Sequence, residues 1–129
     1  VLHAYYLTNK YPDVEISISI PRMRPHTGNF EVPSPVSDRD FVQILLAARL
    51  LLRHVGITVS TRERSSFRDN LVGLGVTRMS AGSVTEVGGY NEKRGDGQFE
   101  ISDDRSVEDI RQMLYSKGFQ PVFKDWQYI

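Results

Sequence analysis

Three short stretches of the chain have the residue pattern of β-strands. Residues 14–20 alternate isoleucine with serine, the period of two expected of a strand whose two faces differ. Residues 57–62 alternate in the same way, with Ile57 and Val59 on one side and polar side chains on the other. Residues 76–79 form a short apolar run. We therefore expect three strands, with the isoleucines of the first packed under helices and its serines facing a polar space.

Other stretches carry apolar residues at helical spacing. Ser37 with Asp40 forms a capping pair, and Ser106 with Asp109 forms a second one. We expect helices to start there and near residue 66, and residues 1–7 have the pattern of the end of another helix. The predicted helix ends are the glycines Gly56, Gly75 and Gly118. The side chains predicted to face the core are Phe41, Ile44, Leu45, Ala48, Leu52, Val55, Phe67, Leu71, Leu74, Ile110, Met113 and Leu114.

A helix, a glycine and an apolar extended segment recur three times in this order. Such repeats are typical of β/α units that build a parallel sheet. A complete barrel of these units needs eight strands and roughly 200 residues or more. The 129 residues therefore predict one α/β domain over residues 1–129, part of a TIM-type barrel with about three parallel core strands and flanking helices. Because the chain starts at Val1 inside a helical pattern, we expect it to be a piece of a longer protein.

The composition excludes several classes of function for these residues. With 16 basic and 16 acidic residues, no net charge attracts the chain to nucleic acid or to an anionic membrane. The absence of cysteine excludes disulfides, iron-sulfur ligation and thiol catalysis within the chain. The longest apolar run, residues 44–52, contains Arg49 and is too short to cross a bilayer. No signal peptide is visible, so we expect a cytoplasmic protein.

Polar residues follow the ends of the predicted strands, and in a barrel this rim carries the chemistry. Arg62 ends the second strand on its polar side, where a guanidinium can bind a carboxylate with two parallel hydrogen bonds. A pair with Glu63 or a helix cap would also explain it. Ser80 and Ser83 follow the third strand and are candidates for the same ligand, although serines also bond their own loop backbone.

Two arginines after the first strand are further candidates for anion binding. Arg22 and Arg24 lie between two prolines and could face an anionic group, although surface salt bridges explain them equally well. His26 follows them and would offer polar contact or proton transfer, but a single loop histidine is commonly a bystander. Asp103 precedes the last capped helix, and it would need a partner before it could be assigned to a metal site or a general base.

Several motifs in this order resemble the last part of the aromatic-amino-acid lyase branch of the radical S-adenosylmethionine enzymes. The motifs are Ser60-Thr61-Arg62-Glu63, Met79-Ser80-Ala81-Gly82-Ser83, Gly88-Gly89-Tyr90, Gln98-Phe99, Asp104-Arg105-Ser106 and Lys124-Asp125-Trp126. The resemblance covers nearly the whole chain and is strongest to the tyrosine lyases of thiamine thiazole biosynthesis, in the part called the biotin and thiamin synthesis associated domain. The related hydrogenase maturase has cysteines in its tail that this chain lacks, which favours the thiamine enzymes.

The resemblance implies a C-terminal partial barrel and a specific reaction in the full-length enzyme. Such an enzyme holds a 4Fe-4S cluster through three cysteines elsewhere and uses S-adenosylmethionine to take hydrogen from the amino group of tyrosine. The Cα–Cβ bond then breaks to give 2-iminoacetate and p-cresol. By the same resemblance Arg62 holds the substrate carboxylate with Ser80 and, less securely, Ser83. Arg22 and Arg24 would face the carboxylate of S-adenosylmethionine.

The same resemblance sets the expected partners. The isolated chain should be inactive, because it has no cysteine for a cluster, and it needs the missing N-terminal half of the barrel. Tyrosine is the expected substrate and thiazole synthase a possible protein partner. A severed barrel exposes a strand edge, which favours homodimers. Alternatives are a non-catalytic β/α domain that binds an anionic ligand, a module that docks thiazole synthase, and part of a tryptophan lyase or of the hydrogenase maturase.

Overall fold

A computed structural model describes residues 1–23, 32–84 and 101–123. The elements in chain order are α1 (Leu2–Lys10), β1 (Ser17–Ser19), α2 (Asp38–Leu51), β2 (Gly56–Val59), α3 (Ser65–Leu71), β3 (Arg78–Met79) and α4 (Val107–Ser116). Each strand is shorter than the sequence pattern predicts. Several predicted features lie outside the described residues, namely Arg24, His26, Gly88-Gly89-Tyr90, Gln98-Phe99 and Lys124-Asp125-Trp126.

The three strands form one parallel sheet in the order β1-β2-β3. Ile18 lies beside Ile57, and Val59 lies beside Met79. The connections between neighbouring strands contain α2 and α3, as parallel strands require a crossover. The predicted α/β class with three parallel core strands and flanking helices is therefore confirmed.

One face of the sheet packs under helices and the other is polar. Ile57 and Val59 are buried in a cluster with residues of α2 and α3, against which Ile18 also packs. On the opposite face, the Oγ atom of Ser17 lies 3.3 Å from Oγ1 of Thr58. The predicted period of two in the first strands is therefore correct. The buried members of the main cluster are Phe41, Leu45, Ala48, Ile57, Val59, Phe67 and Leu71.

Both predicted capping pairs are present. In each case the serine hydroxyl accepts a hydrogen bond from the backbone N–H three residues on, and the aspartate accepts one from the serine N–H. The hydrogen bonds from Ser37 lower the pKa of Asp40, and those from Ser106 lower the pKa of Asp109. These reciprocal bonds satisfy N–H groups that the first turn of a helix leaves without partners.

Two predicted helix ends are wrong. Helix α2 ends at Leu51, and Gly56 instead begins β2, where a Cβ atom would lie 3.1 Å from Oγ of Ser17. Helix α3 ends at Leu71, before Gly75. Arg49 explains much of this difference, because its guanidinium donates hydrogen bonds to carbonyl groups that follow α2 and precede β3. Its acceptors are Leu52, Arg53, Val55 and Gly75, at 2.6–3.1 Å.

Two side chains predicted to face the core are exposed instead of buried. Ile44 is 43% exposed and Leu74 is 38% exposed. The buried side of α2 contains Phe41, Leu45 and Ala48, spaced four and three residues apart, and Ile44 lies beside this stripe. Leu74 follows the end of α3 in a turn, so helical spacing does not apply to it.

Candidate functional site

The candidate site lies at the carboxyl ends of the three strands, which meet at one edge because the strands are parallel. Arg22 follows β1, Arg62 and Glu63 follow β2, and Ser80 follows β3. The N–H of Ser80 donates to the carbonyl of Val59 at 3.2 Å, so the ladder continues one residue beyond β3. The structure thus brings the predicted candidates at the ends of the strands to one side of the sheet.

Arg62, Ser80 and Ser83 lie in the segments that follow β2 and β3. Arg62 is half-buried in the turn after β2, and its backbone N–H donates to Oγ of Ser60 at 3.4 Å. Ser80 and Ser83 are also half-buried. Gly82 lies between them with φ of +57°, in the left-handed region that glycine adopts without strain. The assignment of these three side chains to a substrate carboxylate stays a prediction.

Arg22 is held by two carboxylates. Its Nε donates to Oε1 of Glu63 at 3.0 Å, and its Nη1 donates to Oδ1 of Asp38 at 2.8 Å. The guanidinium also lies 5.1 Å from the ring centre of Phe41 and 4.9 Å from that of Phe67, within cation–π range. The hydrogen bond to Glu63 raises the pKa of Arg22. A role for Arg22 towards S-adenosylmethionine stays a prediction, and it would require a ligand carboxylate in addition to, or instead of, these partners.

A buried ion pair, Arg68 with Asp103, lies behind the segment of residues 80–83. Both side chains are fully buried, and Nη1 of Arg68 donates to Oδ2 of Asp103. Nη2 of Arg68 donates to the backbone carbonyl of Ser80. Arg105 donates to both Asp103 oxygens, at 2.9 and 2.7 Å, and to Asp69 at 2.8 Å. This cluster joins α3, the end of β3 and the segment before α4.

Backbone hydrogen bonds attach the same segments to each other. The N–H groups of Ser102 and Asp103 both donate to the carbonyl of Thr61 at 3.0 Å. The N–H of Gly82 donates to the carbonyl of Arg105 at 3.1 Å. The residues that follow β2 and β3 are therefore fixed against residues 102–105, and Asp103 belongs to this framework rather than to the helix terminus alone.

The sequence contains one signal for the buried Arg68 pair, which the predictions from helical spacing did not include. Arg68 lies between Phe67 and Leu71 on α3, and all three side chains are buried. A cation on an apolar helix face needs a buried carboxylate as its partner. Asp103 is 35 residues away in sequence, and nothing in the local pattern identifies it.

The charges of Arg68 and Asp103 shift each other's pKa. Burial lowers the pKa of Arg68, and the charge of Asp103 opposes this effect. Burial alone would raise the pKa of Asp103, but hydrogen bonds from Arg105 and the charge of Arg68 lower it to about 2. Asp103 is therefore ionised in the folded chain at neutral pH.

The lowered pKa of Asp103 predicts a specific loss of stability in acid. A depressed folded-state pKa contributes stability that is complete above the unfolded value near pH 4 and is lost as pH falls towards 2. We expect the free energy of unfolding of the wild type to fall by on the order of 2 kcal/mol more than that of Asp103→Asn between these limits. Urea denaturation across this pH range measures the difference. Parallel pH curves for the two proteins would contradict the expectation.

A cavity of about 760 Å³ lies between β3 and α4, and the ion-paired side chains Glu15 and Arg78 are part of its lining. Its apolar wall includes Val76, Met79, Ile110 and Leu114, and Phe123 also lines it. Among the residues that the structure describes, no three acidic or histidine side chains come together as metal ligands. Of the helices in the described ranges, none combines the length and the apolar character needed to cross a membrane.

The model of the Biotin and Thiamin Synthesis associated domain matches residues 19–120, which span every element from α2 to α4. This chain belongs to that family. The match covers both ends of the candidate site, from the residues after β1 to the Asp103 cluster. The predicted resemblance to the biotin and thiamin synthesis associated domain is therefore confirmed.

Two curated relatives of this biotin and thiamin synthesis associated domain are 2-iminoacetate synthases. The protein of Escherichia coli K12 is 39% identical over 125 residues, which cover 96% of this chain and 33% of the relative. The protein of Salmonella typhimurium LT2 is 37% identical over the same coverage. The chain thus spans about a third of the length of these relatives.

Two solved structures of the FeFe-hydrogenase maturase HydG are similar to the domain. One superposes with a TM-score of 0.83 at 36% identity, over 95% of this chain and 27% of the HydG chain. HydG from Carboxydothermus hydrogenoformans gives a TM-score of 0.79 at 39% identity, over 96% and 28% of the respective chains. The likeness to HydG supports the fold prediction of a partial β/α barrel over the whole described sheet.

Proposed function

We propose that this chain is the C-terminal, substrate-binding part of a radical S-adenosylmethionine lyase that cleaves the Cα–Cβ bond of tyrosine. The products would be 2-iminoacetate, for thiamine thiazole synthesis, and p-cresol. The observation that carries the proposal is the 39% identity to a 2-iminoacetate synthase over 96% of the chain. The common location of Arg62 and Ser80 at the carboxyl edge of the sheet supports it.

In this proposal Arg62 binds the carboxylate of the amino acid. Its planar guanidinium would donate two parallel hydrogen bonds, which fix both the position and the orientation of the substrate. The hydroxyl groups of Ser80 and Ser83 would add donors from the neighbouring strand. Orientation matters for this reaction, because the bond that breaks must be aligned with the atom that loses hydrogen.

The residues of the chain do not fit the cluster itself. There is no cysteine among the 129 residues, so the thiolates for a 4Fe-4S cluster must come from another part of the full-length enzyme. When bound there, the cluster and S-adenosylmethionine would supply the radical that takes hydrogen from the substrate. The part played by this chain is to bind and orient the amino acid.

An Arg62→Lys variant of the full-length enzyme tests the assignment. Lysine keeps the positive charge but loses the bidentate geometry, so we expect the KM for tyrosine to rise by about 10- to 100-fold. Steady-state assays of p-cresol release, with titration calorimetry of tyrosine, measure this change. Arg64→Lys is the matched control, because Arg64 is two residues away, 58% exposed and paired with Asp38. Equal KM values for the two variants would refute the role of Arg62.

The likeness to HydG favours a second candidate, a part of a hydrogenase maturase. The identities to HydG, 36% and 39%, are close to those with the 2-iminoacetate synthases, so they do not separate the two functions. Expression of the full-length protein in a thiamine-requiring strain that lacks 2-iminoacetate synthase separates them. Restored growth without thiamine supports the lyase of thiamine synthesis, and failure with a well-expressed, folded protein supports the maturase.

The proposed function also implies two protein partners. Thiazole synthase would receive the unstable 2-iminoacetate, and self-association would cover strand edges that the described sheet leaves open. Within the described residues, β1 and β3 each pair with β2 alone. Unpaired edges of this kind promote association between chains.

A further inference from the structure

The segment that carries Ser80 and Ser83 accepts a backbone hydrogen bond from Arg68, whose charged side chain is fully buried. Arg68 is the largest side chain of the described residues with essentially no exposure, and its Nε has no hydrogen-bond partner. Its two terminal nitrogens are both used, one by Asp103 and the other by the carbonyl of Ser80. The guanidinium therefore bridges a fixed anion and one backbone atom of the candidate site.

A buried ion pair is an expensive way to stabilise a fold. Removing two charges from water costs several kcal/mol per ion, and well-packed apolar residues of similar volume often serve stability equally well. What apolar residues could not provide here is a directed donor to the Ser80 carbonyl. Two further hydrogen bonds also fix this segment. The N–H of Ser80 donates to the carbonyl of Val59, and the N–H of Gly82 donates to the carbonyl of Arg105.

We propose that Arg68 is a positioning residue that fixes residues 80–83 for the substrate carboxylate, with Asp103 holding its guanidinium in place. This inference rests on the proposed function, because the ligand is the tyrosine assigned to Arg62 and Ser80. Arg68 lies behind the segment and contacts its backbone, so it acts on the ligand through Ser80. Arg105 extends the anchor, since it binds Asp103 and Asp69 with its side chain and Gly82 with its carbonyl.

The decisive variant in the full-length enzyme is Arg68→Lys. Lysine retains a cation for Asp103 but lacks the planar fork that reaches Asp103 and Ser80 together. We expect the KM for tyrosine to rise by about tenfold, with a much smaller change in the KM for S-adenosylmethionine and in kcat. Leu45→Ala is the control, because Leu45 is a buried apolar residue of α2 whose truncation lowers stability without removing a side-chain hydrogen bond of Arg68, Asp103 or Arg105.

A second readout separates this inference from the proposed function. Hydrogen exchange of the peptide that covers residues 79–84, measured without tyrosine, should be faster in Arg68→Lys than in Leu45→Ala. Unchanged protection in this peptide would overturn the positioning role whatever the ligand is. Faster exchange with an unchanged KM for tyrosine would overturn it as well, provided that Arg62→Lys raises KM. If Arg62→Lys leaves KM unchanged, the proposed function fails, and the exchange result still decides whether Arg68 orders the segment.

The double variant Arg68→Met/Asp103→Leu covers the case in which Arg68→Lys does not fold. It removes both buried charges, so neither is left without a partner. We expect it to fold, to exchange faster at residues 79–84 and to show a raised KM for tyrosine. Wild-type KM in this folded double variant would overturn the proposal, because the pair would then serve the fold alone.

Discussion

Replacement of Asp103 by alanine is expected to lower the free energy of unfolding of the chain by about 3–5 kcal/mol. Asp103 and Arg68 are both fully buried, so the substitution leaves a buried guanidinium without its principal anion. Arg105 loses the same partner and keeps Asp69. Urea denaturation of the purified chain at neutral pH, followed by far-ultraviolet circular dichroism, measures the loss.

Asp104→Ala is the matched control for this substitution. Asp104 is the exposed neighbour of Asp103, and surface substitutions of this kind usually change stability by less than about 0.5 kcal/mol. The double variant Arg68→Met/Asp103→Leu should lose far less stability than Asp103→Ala, because it leaves no unpaired charge between these two positions. Similar losses for Asp103→Ala and Asp104→Ala would show that the buried pair does not support the fold.

Replacement of Phe41 by alanine is expected to cost about 3–5 kcal/mol. The ring is 2% exposed and meets Phe67 edge to face, with ring centres 5.4 Å apart and planes at 73°. The guanidinium of Arg22 also rests against it. Alanine would therefore leave a cavity between α2, α3 and the end of β1, and it would remove part of the packing that orders Arg22 at the candidate site.

Ile44→Ala is the matched control, because it truncates an exposed side chain on the same helix. Ile44 is 43% exposed, so we expect its truncation to cost less than about 1 kcal/mol. Parallel urea denaturation of the two variants measures the contrast. A larger loss for Ile44→Ala than for Phe41→Ala would mean that the buried side of α2 is assigned incorrectly.

Local patterns of the sequence predicted much of the fold. The two capping pairs depend on residues three positions apart, and both are present as expected. The alternation around Ile18 and Ile57 places both on the helical side of the sheet. Such features are decided by neighbours in the chain, which a single sequence displays directly.

Helix ends were harder to predict, because the guanidinium of Arg49 binds carbonyl groups near the positions where glycine caps were expected. Arg49 binds carbonyl groups on both sides of β2, including that of Gly75, which is 26 residues away. Glycine at position 56 serves the close approach of β1 instead of a helix end. The same residue types thus have different uses, and only the three-dimensional contacts distinguish them.

The candidate site was predictable in outline and not in its charge pairs. Position at the strand ends is enough to bring Arg62 and Ser80 to one edge, since parallel strands share their direction. The partners of the buried charges are not local. Arg22 pairs with Glu63 across 41 residues, and Arg68 pairs with Asp103 across 35. A sequence without coordinates does not indicate which of 16 acidic residues each arginine selects.

The polar face of the sheet has a consequence for how such a protein can diverge. Ser19, Thr58 and Arg78 are adjacent in the strand register and lie on the face opposite to the buried side chains Ile57 and Val59. Mutations at the polar positions can change the shape and charge offered to a ligand while the packed side stays intact. Selection for a different ligand can therefore proceed along one surface of these strands with little penalty to folding.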